Sequence, residues 1–202
     1  MIFIDQISLA FRTLVVPKRT FKLLKVQRIS DTLVYILTIG WITAIISGIL
    51  RDFGVDYSRP SNAGGSAQLF AAWGIKVLNL DMGNLFEVLV FALLVMIGYI
   101  ALAIISTIVL AVITWLLFGR PDFEDFPRLS FIAIVYGMTP GFLFGWVPNP
   151  FYFVGLWATL WQSLAIKEIF NFSWKDTVIA VLAWIFIVAI LHDLAVLFYN
   201  FL

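Results

Sequence analysis

The chain contains no cysteine and only one histidine, His192, among its 202 residues. Disulfide bonds, thiolate catalysis and cysteine metal sites are therefore excluded, and zinc lacks the set of nitrogen and sulfur ligands that it normally takes. Charge is scarce as well, because Asp, Glu, Lys and Arg make up 12% of the chain, whereas hydrophobic residues make up 62%. A soluble domain of this length has too much surface to hide so many apolar side chains, so the sequence predicts a membrane protein.

Residues typical of catalysis or transport are also scarce. His192 follows no nucleophile motif, and the serines of the apolar segments stand at ordinary helix positions such as "IISGI" and "WQSLA". Neighbours on a helix point about 100° apart, so His192 and Asp193 cannot both face one ligand. The apolar segments carry no ionisable residue near their centres, where ion and proton pathways usually have one. We therefore expect no enzyme activity, no metal, no cofactor and no nucleic-acid partner.

Long uncharged runs predict the membrane spans. A bilayer core is about 30 Å thick and a helix rises about 1.5 Å per residue, so one span needs roughly 20 apolar residues. The run 129–166 would be about 57 Å long as a single helix, so we expect it to fold back at "VPNP", Val147 to Pro150. The run 88–119 is interpreted as one tilted helix that extends beyond the lipid. The prediction is an all-α, polytopic integral membrane helix bundle with five transmembrane spans, at about 32–50, 88–118, 129–146, 151–166 and 177–197.

The first 30 residues form a basic segment ahead of the membrane domain, which covers residues 31–202. Apolar residues recur there at helical spacing, which predicts an N-terminal amphipathic helix in the plane of the membrane interface. They are Ile4, Ile7, Phe11, Leu14 and Val15. Pro17 is expected to end this helix. The cations that follow are placed to bind anionic lipid head groups, or they only set the topology; they are Lys18, Arg19, Lys22, Lys25 and Arg28.

The basic residues predict which side of the membrane each end faces. If the N-terminus is cytoplasmic, three of the thirteen Lys and Arg residues lie outside, namely Arg51, Arg59 and Lys76, and the other ten lie inside. Cytoplasmic segments of membrane proteins carry such an excess. We predict a multi-pass protein of a prokaryotic cell membrane, with a cytoplasmic N-terminus and an external C-terminus.

The connection between the first two predicted spans is only partly polar. It begins with "RPSNAGGS" and then turns apolar in "AQLFAAWGIKVL". This apolar stretch is too short to cross a bilayer. It therefore predicts an interfacial or re-entrant helix.

Small residues recur every four positions in three of the predicted spans, where they let helix backbones approach closely. These stripes are Gly40, Ala44 and Gly48 in the first span, Gly137, Gly141 and Gly145 in the third, and Gly155, Thr159 and Ser163 in the fourth. Packing within one bundle is the simpler interpretation, and contact with a second copy or another membrane protein is the alternative. Pro140 is expected to kink the third span by removing a backbone hydrogen bond.

The connection "FGRPDFEDFPRLSF" interleaves charged and aromatic residues before the third span. Its central residues are Asp122, Phe123, Glu124, Asp125 and Phe126. One interpretation is a solvated loop whose rings anchor in the interface while the carboxylates face water. The alternative is a docking site for a cytosolic protein.

Four short motifs occur in order along the chain: "PKRTF" in the basic segment, "GRPDF" before the third span, "VYGMTP" within it and "IKEIFNFSWKDT" in the last connection. In this order they resemble the Yip (Ypt-interacting protein) family in its short, prokaryote-type, five-span form. The resemblance implies a non-enzymatic membrane protein that organises membranes or partners. Eukaryotic members engage Rab-type GTPases and coat partners through a long cytosolic N-terminal domain, whereas this chain has a short segment there. We therefore expect a scaffold or adaptor in membrane organisation or trafficking; the alternative is a permease or lipid-handling protein gated around the Pro140 kink.

The topology can be tested with single introduced cysteines, because the natural chain has none. Cysteines in place of Ser61 and Asp122 should react with a membrane-impermeant maleimide from opposite faces of the membrane, since the predicted second span separates them. Intact and opened vesicles are compared by gel shift. Reaction of both positions from the same face would rule out the five-span arrangement.

Overall fold

The computed structural model describes residues 2–55, 57, 66–77, 85–119, 125–147 and 151–201, and all regular structure in these ranges is helical. The all-α prediction is confirmed for this part of the chain. The described helices are α1 (Ile2–Val15), α2 (Pro17–Leu24), α3 (Ile29–Asp52), α4 (Ser66–Val77), α5 (Leu85–Phe118), α6 (Phe126–Gly137), α7 (Thr139–Phe144), α8 (Phe151–Phe170) and α9 (Trp174–Phe201).

Four helical stretches are long and apolar enough to cross a membrane. They are Ile29–Asp52, Phe86–Phe118, Phe126–Phe144 and Trp174–Leu191. They correspond to the first, second, third and fifth predicted spans and indicate a membrane protein. The remaining predicted span, 151–166, lies in α8, whose first three side chains are outside the described part of the chain. This fourth predicted span, and with it the total of five, therefore stays a prediction.

Apolar side chains cover the outside of the bundle, as expected in lipid. On α3, Leu37, Ile45 and Ile49 are exposed. The opposite face of the same helix is buried and consists largely of small or polar residues, including Thr32, Gly40, Thr43, Ala44, Ser47 and Gly48. Lipid gives no hydrophobic reason to bury leucine, so close packing of small residues decides which face turns inward.

The helix ends gather at two opposite ends of the bundle. We call one of them the basic end: α3, α6 and α9 begin there, and α5 and α8 end there. At this end the Lys25 ammonium donates a hydrogen bond of 2.6 Å to the Asn171 side chain. At the opposite end Arg51, in the last turn of α3, forms a 2.9 Å ion pair with Glu87, in the first turn of α5. The two helices are therefore antiparallel.

The predicted small-residue stripe of the first span packs against α5. A Cβ added to Gly48 would lie 2.8 Å from the Val88 carbonyl oxygen, and one added to Gly40 would lie 3.0 Å from the Met96 sulfur. Ala44 between them is fully buried. These contacts place this stripe inside the bundle.

The apolar connection after α3 contains the short helix α4, which also packs on α5. Ala67 and Ala71 are fully buried, and a Cβ on Gly98 would lie 3.2 Å from the Ala67 Cα. The 12 residues of α4 rise about 18 Å, which is less than the thickness of a bilayer core. α4 is therefore buried against a long helix without being long enough to cross.

The third predicted span is divided into α6 and α7 at Met138. Pro140 lies in the first turn of α7, and its missing N–H leaves the Tyr136 carbonyl without its usual helical partner. The Thr139 hydroxyl donates to that carbonyl instead, at 2.6 Å. The predicted irregularity thus occurs as a helix break two residues before Pro140.

The glycines around this break do not form one packing face. A Cβ on Gly137 would lie 2.6 Å from the Gln162 Cγ of α8, whereas one on Gly145 would lie 3.2 Å from the Tyr99 hydroxyl of α5. Gly141 has nothing within 4 Å of the same position. Because the helix breaks between Gly137 and Gly141, residues four apart no longer share one face.

The hydroxyl groups of the stripe predicted in the fourth span bond to the backbone of their own helix, α8. The Thr159 hydroxyl donates to the Gly155 carbonyl at 2.9 Å, and the Ser163 hydroxyl donates to the Thr159 carbonyl at 2.8 Å. A Cβ on Gly155 would meet nothing within 4 Å. Of the three predicted stripes, the one on α3 is therefore the one that packs along its length.

The contrast between Gly137 and Gly141 gives a matched pair of substitutions. Gly137→Ala should lower the melting temperature in detergent, because the new methyl group overlaps both the side chain and the backbone of Gln162 and overpacking costs about 1–3 kcal/mol. Gly141→Ala should leave the melting temperature unchanged or raise it, since alanine is the better helix former. Equal melting temperatures for the two variants would contradict the observed α6–α8 contact.

Candidate functional site

The N-terminal segment is bound to the bundle at and near the basic end. α1 and α2 are separated by Val16, whose φ of −132° and ψ of 58° are not helical. α2 packs on α8, and α1 contacts α3 and α7 in addition to α2. The Trp161 indole N–H of α8 donates to the Thr13 carbonyl at 2.9 Å. The segment is therefore part of the helix bundle.

The predicted apolar stripe of α1 is exposed in part, because its Ile7 packs against the core. Ile4, Phe11 and Val15 are 72%, 59% and 75% exposed, whereas Ala10 and Thr13 are fully buried. These exposed residues suit contact with lipid, and the interfacial amphipathic helix itself stays a prediction. The opposite face differs from the prediction, because it packs on other helices through small residues where an interfacial helix would turn it to water.

The buried face of α2 determines where its cations point. Thr20, Phe21 and Leu24 are buried, and they lie three and four residues apart on one side of the helix. Lys18, Arg19 and Lys22 occupy the exposed remainder. Packing of α2 on α8 thus presents three cations outward at the basic end.

Arg128 joins the N-terminal segment to the start of α6. Its Nη1 donates to the Lys25 carbonyl at 2.7 Å and to the Gln27 carbonyl at 3.1 Å. Its Nε and Nη2 donate to the Asp125 carboxylate at 3.2 and 3.1 Å. The Tyr136 hydroxyl donates to the Gln27 side chain. The Arg128 guanidinium therefore donates to the two backbone carbonyls that follow α2, and the Asp125 carboxylate holds it in that orientation.

Lys25 joins the same segment to the turn between α8 and α9. Its partner Asn171 has a φ of 55°, a left-handed conformation that asparagine tolerates better than most residues. Burial lowers the pKa of Lys25 below its ordinary value, while the nearby Glu168 carboxylate opposes this effect. Glu168 is itself buried and pairs with Lys22 at 3.7 Å and with Lys167 at 3.3 Å.

The five cations predicted to bind lipid therefore separate into two groups. Lys18, Arg19 and Lys22 are exposed on α2. Lys25 is engaged by Asn171, and Arg28 stands at the N-cap of α3, where its backbone N–H donates to the Asp31 carboxylate at 3.4 Å. The Arg28 side chain is exposed.

The predicted docking connection is described only at its end. Asp122, Phe123 and Glu124 lie outside the described residues. Asp125 is exposed and holds Arg128, but Phe126 is only 5% exposed and its ring stacks on Phe170 at 5.7 Å. The Phe126 ring is therefore not exposed for docking, because α6 begins there and the ring packs against the end of α8. The docking site itself stays a prediction.

A second arrangement, not predicted from the sequence, is a set of buried polar side chains between α3 and the broken third span. The Thr139 hydroxyl proton is used by the Tyr136 carbonyl, so the 2.7 Å bond between Tyr35 and Thr139 has the Tyr35 hydroxyl as donor. Tyr35 is fully buried. The free carbonyl created by Pro140 is thereby connected to α3.

Nearer the opposite end, the buried side chain of Gln68 on α4 also connects several helices by hydrogen bonds. Its amide nitrogen lies 2.9 Å from the Tyr99 hydroxyl, 3.3 Å from the Gly145 carbonyl oxygen and 3.5 Å from the Ser47 hydroxyl. Within the described part of the chain, the buried atoms without a hydrogen-bond partner include Gln68 Oε1 on α4 and Thr43 Oγ1 on α3. Neutral polar residues give no charge signal in a sequence, which is why this set was missed.

The exposed cations of the basic end can bind anions, and the buried polar side chains between the helices can form hydrogen bonds. Among the described residues, no group of three or more histidine, cysteine or acidic side chains could hold a metal ion. The side chain of His192 lies outside the described ones. Neither place contains an arrangement of nucleophile and base.

Comparisons with family models, with curated proteins and with solved structures find no match for this chain. The similarity to the Yip family thus stays a prediction that rests on the four motifs. One of them, "VYGMTP", covers the helix break, because it contains Tyr136, Thr139 and Pro140.

Proposed function

We propose that the chain is a Yip-like, non-enzymatic integral membrane scaffold or adaptor that acts through the surface of its basic end. The observation that supports this is the connection of three separate segments at that end. Arg128 joins the N-terminal segment to α6, and Lys25 joins it to the α8–α9 turn. The result is one ordered surface that carries exposed cations.

An ordered surface suits a protein that recruits others. Binding to a preformed surface avoids the entropic cost of ordering flexible segments on association. The N-terminal segment would pay this cost in every encounter if it were free. Its hydrogen bonds to the bundle remove most of that cost before a partner arrives.

The proposed orientation places the basic end in the cytoplasm of a prokaryotic cell. α8 then serves as the fourth of five spans, the C-terminus lies outside, and the positive-inside rule is satisfied. The apolar outer faces of the spans remain available to lipid, to a second copy of the chain or to another membrane protein.

The test compares association of the natural protein with that of a variant whose basic end is loosened. Arg128→Gln removes a charged donor to two backbone carbonyls, and such bonds contribute about 1.5–3 kcal/mol. Opening of the N-terminal segment should increase about tenfold or more, and recovery of cross-linked partners or self-associated protein from native membranes should fall. Quantitative mass spectrometry measures the recovery.

Lys175→Gln is the matched control, because Lys175 is an exposed cation at the same end. It should leave recovery unchanged. The proposal is wrong if neither a partner nor self-association is recovered with the natural protein, or if Arg128→Gln recovers as much as Lys175→Gln.

The second candidate function is that of a permease or lipid-handling protein. It is favoured by the buried oxygens of Thr43 and Gln68 that lack partners, since such groups are normally satisfied by water or an ion. α7 ends at Phe144, and the carbonyl oxygen of Gly145 after it lies 3.3 Å from the Gln68 amide nitrogen. Irregular backbone at membrane depth occurs where it is buried in protein or lines a water-filled cavity.

Flux into liposomes tests this candidate. Thr43→Val should abolish uptake of a transported solute, because it removes a hydroxyl from the interior. Thr38→Val is the control, since the Thr38 hydroxyl is exposed on α3 and bonds to the Val34 carbonyl of its own helix. If a panel of ions, small solutes and labelled lipids shows no flux above that of empty liposomes, this candidate is eliminated.

A further inference from the structure

A groove opens on the surface of the basic end where α1 meets α2. Its volume is about 410 Å³, and it is lined by Val16, Pro17, Lys18, Arg19 and Lys22. The groove exists because Pro17 prevents the two helices from continuing as one, which turns α2 away from α1 at Val16.

The charge of the groove is positive and largely uncompensated. Lys22 is 3.7 Å from Glu168, but its side chain is still 58% exposed, and Glu168 is shared with Lys167. In the described ranges no carboxylate forms an ion pair with Lys18 or Arg19. Three cationic residues therefore line one small groove, and the one carboxylate paired with any of them is Glu168 in the part of the chain that the structure describes.

The backbone adds to this positive field. α2 begins at Pro17 and has no side-chain cap, and its Thr20 N–H is already bonded to the Val16 carbonyl. The backbone N–H groups of Lys18 and Arg19 are therefore the ones available to an acceptor. The positive end of the helix dipole lies at the same place. Phosphate oxygens would be suitable acceptors for both the side chains and these N–H groups.

Exposed apolar side chains flank the cations and indicate what carries the phosphate. Phe11 and Val15 on α1, and Leu23 on α2, are 59%, 75% and 67% exposed. A soluble phosphate compound makes no use of such neighbours, whereas a phospholipid places acyl chains beside its phosphate.

We propose that this groove binds the phosphate of one anionic phospholipid, with its acyl chains along the exposed apolar residues of α1 and α2. Lys18 and Arg19 make the principal contacts, and Lys22 contributes while it remains near Glu168. The proposal rests on the proposed function in one respect, the placement of the basic end at a membrane surface. It makes the N-terminal segment a lipid-dependent part of that surface.

Native mass spectrometry of the full chain, released from membranes of defined phosphatidylglycerol and phosphatidylcholine content, tests the proposal. The natural protein should retain one phosphatidylglycerol in preference to phosphatidylcholine. The double variant Lys18→Gln/Arg19→Gln should lose about tenfold or more of this occupancy, because each cation near an anionic lipid surface contributes to binding. Inorganic phosphate at millimolar concentration should not displace the lipid.

The control is Lys175→Gln, which removes an exposed cation of the same end and should keep the lipid. It is compared with the single variants Lys18→Gln and Arg19→Gln, each of which should lose part of the occupancy. The proposal is overturned if Lys175→Gln loses as much lipid as these single variants, if the natural protein shows no preference for phosphatidylglycerol, or if inorganic phosphate displaces it. The partner measurement with Arg128→Gln is independent: selective lipid retention without any recovered partner would remove the scaffold function and leave the lipid site standing.

Discussion

Lipid around the bundle removes the hydrophobic attraction that drives helices together in water, and the packing of this protein follows from that constraint. Small residues bring α3 and α5 together, as the close approach of Gly48 to the Val88 carbonyl shows. Polar side chains in the interior are tolerated because they bond to each other or to free carbonyls. The Pro140 break is an example, since the carbonyl it releases is taken by Thr139 and the bond is extended to Tyr35.

The same constraint explains the architecture of the basic end. Water reaches this layer, so charged groups can stand there, but each free helix end still needs partners. Arg128 supplies them to the carbonyls that follow α2, and Lys25 adds a bond to the Asn171 side chain. These bonds join segments that are 103 and 146 residues apart in the chain. Structural demands thus engage two of the cations near the N-terminal segment, whereas Lys18 and Arg19 stay exposed for an anion. The proposed surface and the proposed lipid site both arise from this division.

Composition and uncharged run lengths were sufficient to predict an all-α membrane protein and to locate four helical stretches that can cross a bilayer, because lipid imposes length and hydropathy directly. They were not sufficient to show which small residues pack. Gly137 and Gly141 have the same spacing signal, yet a break between them separates their surroundings. Burial of Phe126 and Gln68 depends on contacts with distant helices, and a single sequence does not reveal such contacts. The inward face of α1 was missed because Ala10 and Thr13 are its fully buried residues, and neither belongs to the apolar stripe that the sequence shows.

Cross-linking of the N-terminal segment to the α8–α9 turn tests the central claim, that this segment is a fixed part of the bundle. Cysteines replacing Lys25 and Asn171 in native membranes should be joined within one chain by a short bifunctional maleimide. Cysteines replacing Arg51 and Glu87, which form the ion pair at the opposite end, serve as the positive control. Efficient cross-linking of both pairs is the predicted result. Cross-linking of the control pair without that of the Lys25 and Asn171 positions would show that the N-terminal segment is not held on the bundle and would contradict the account.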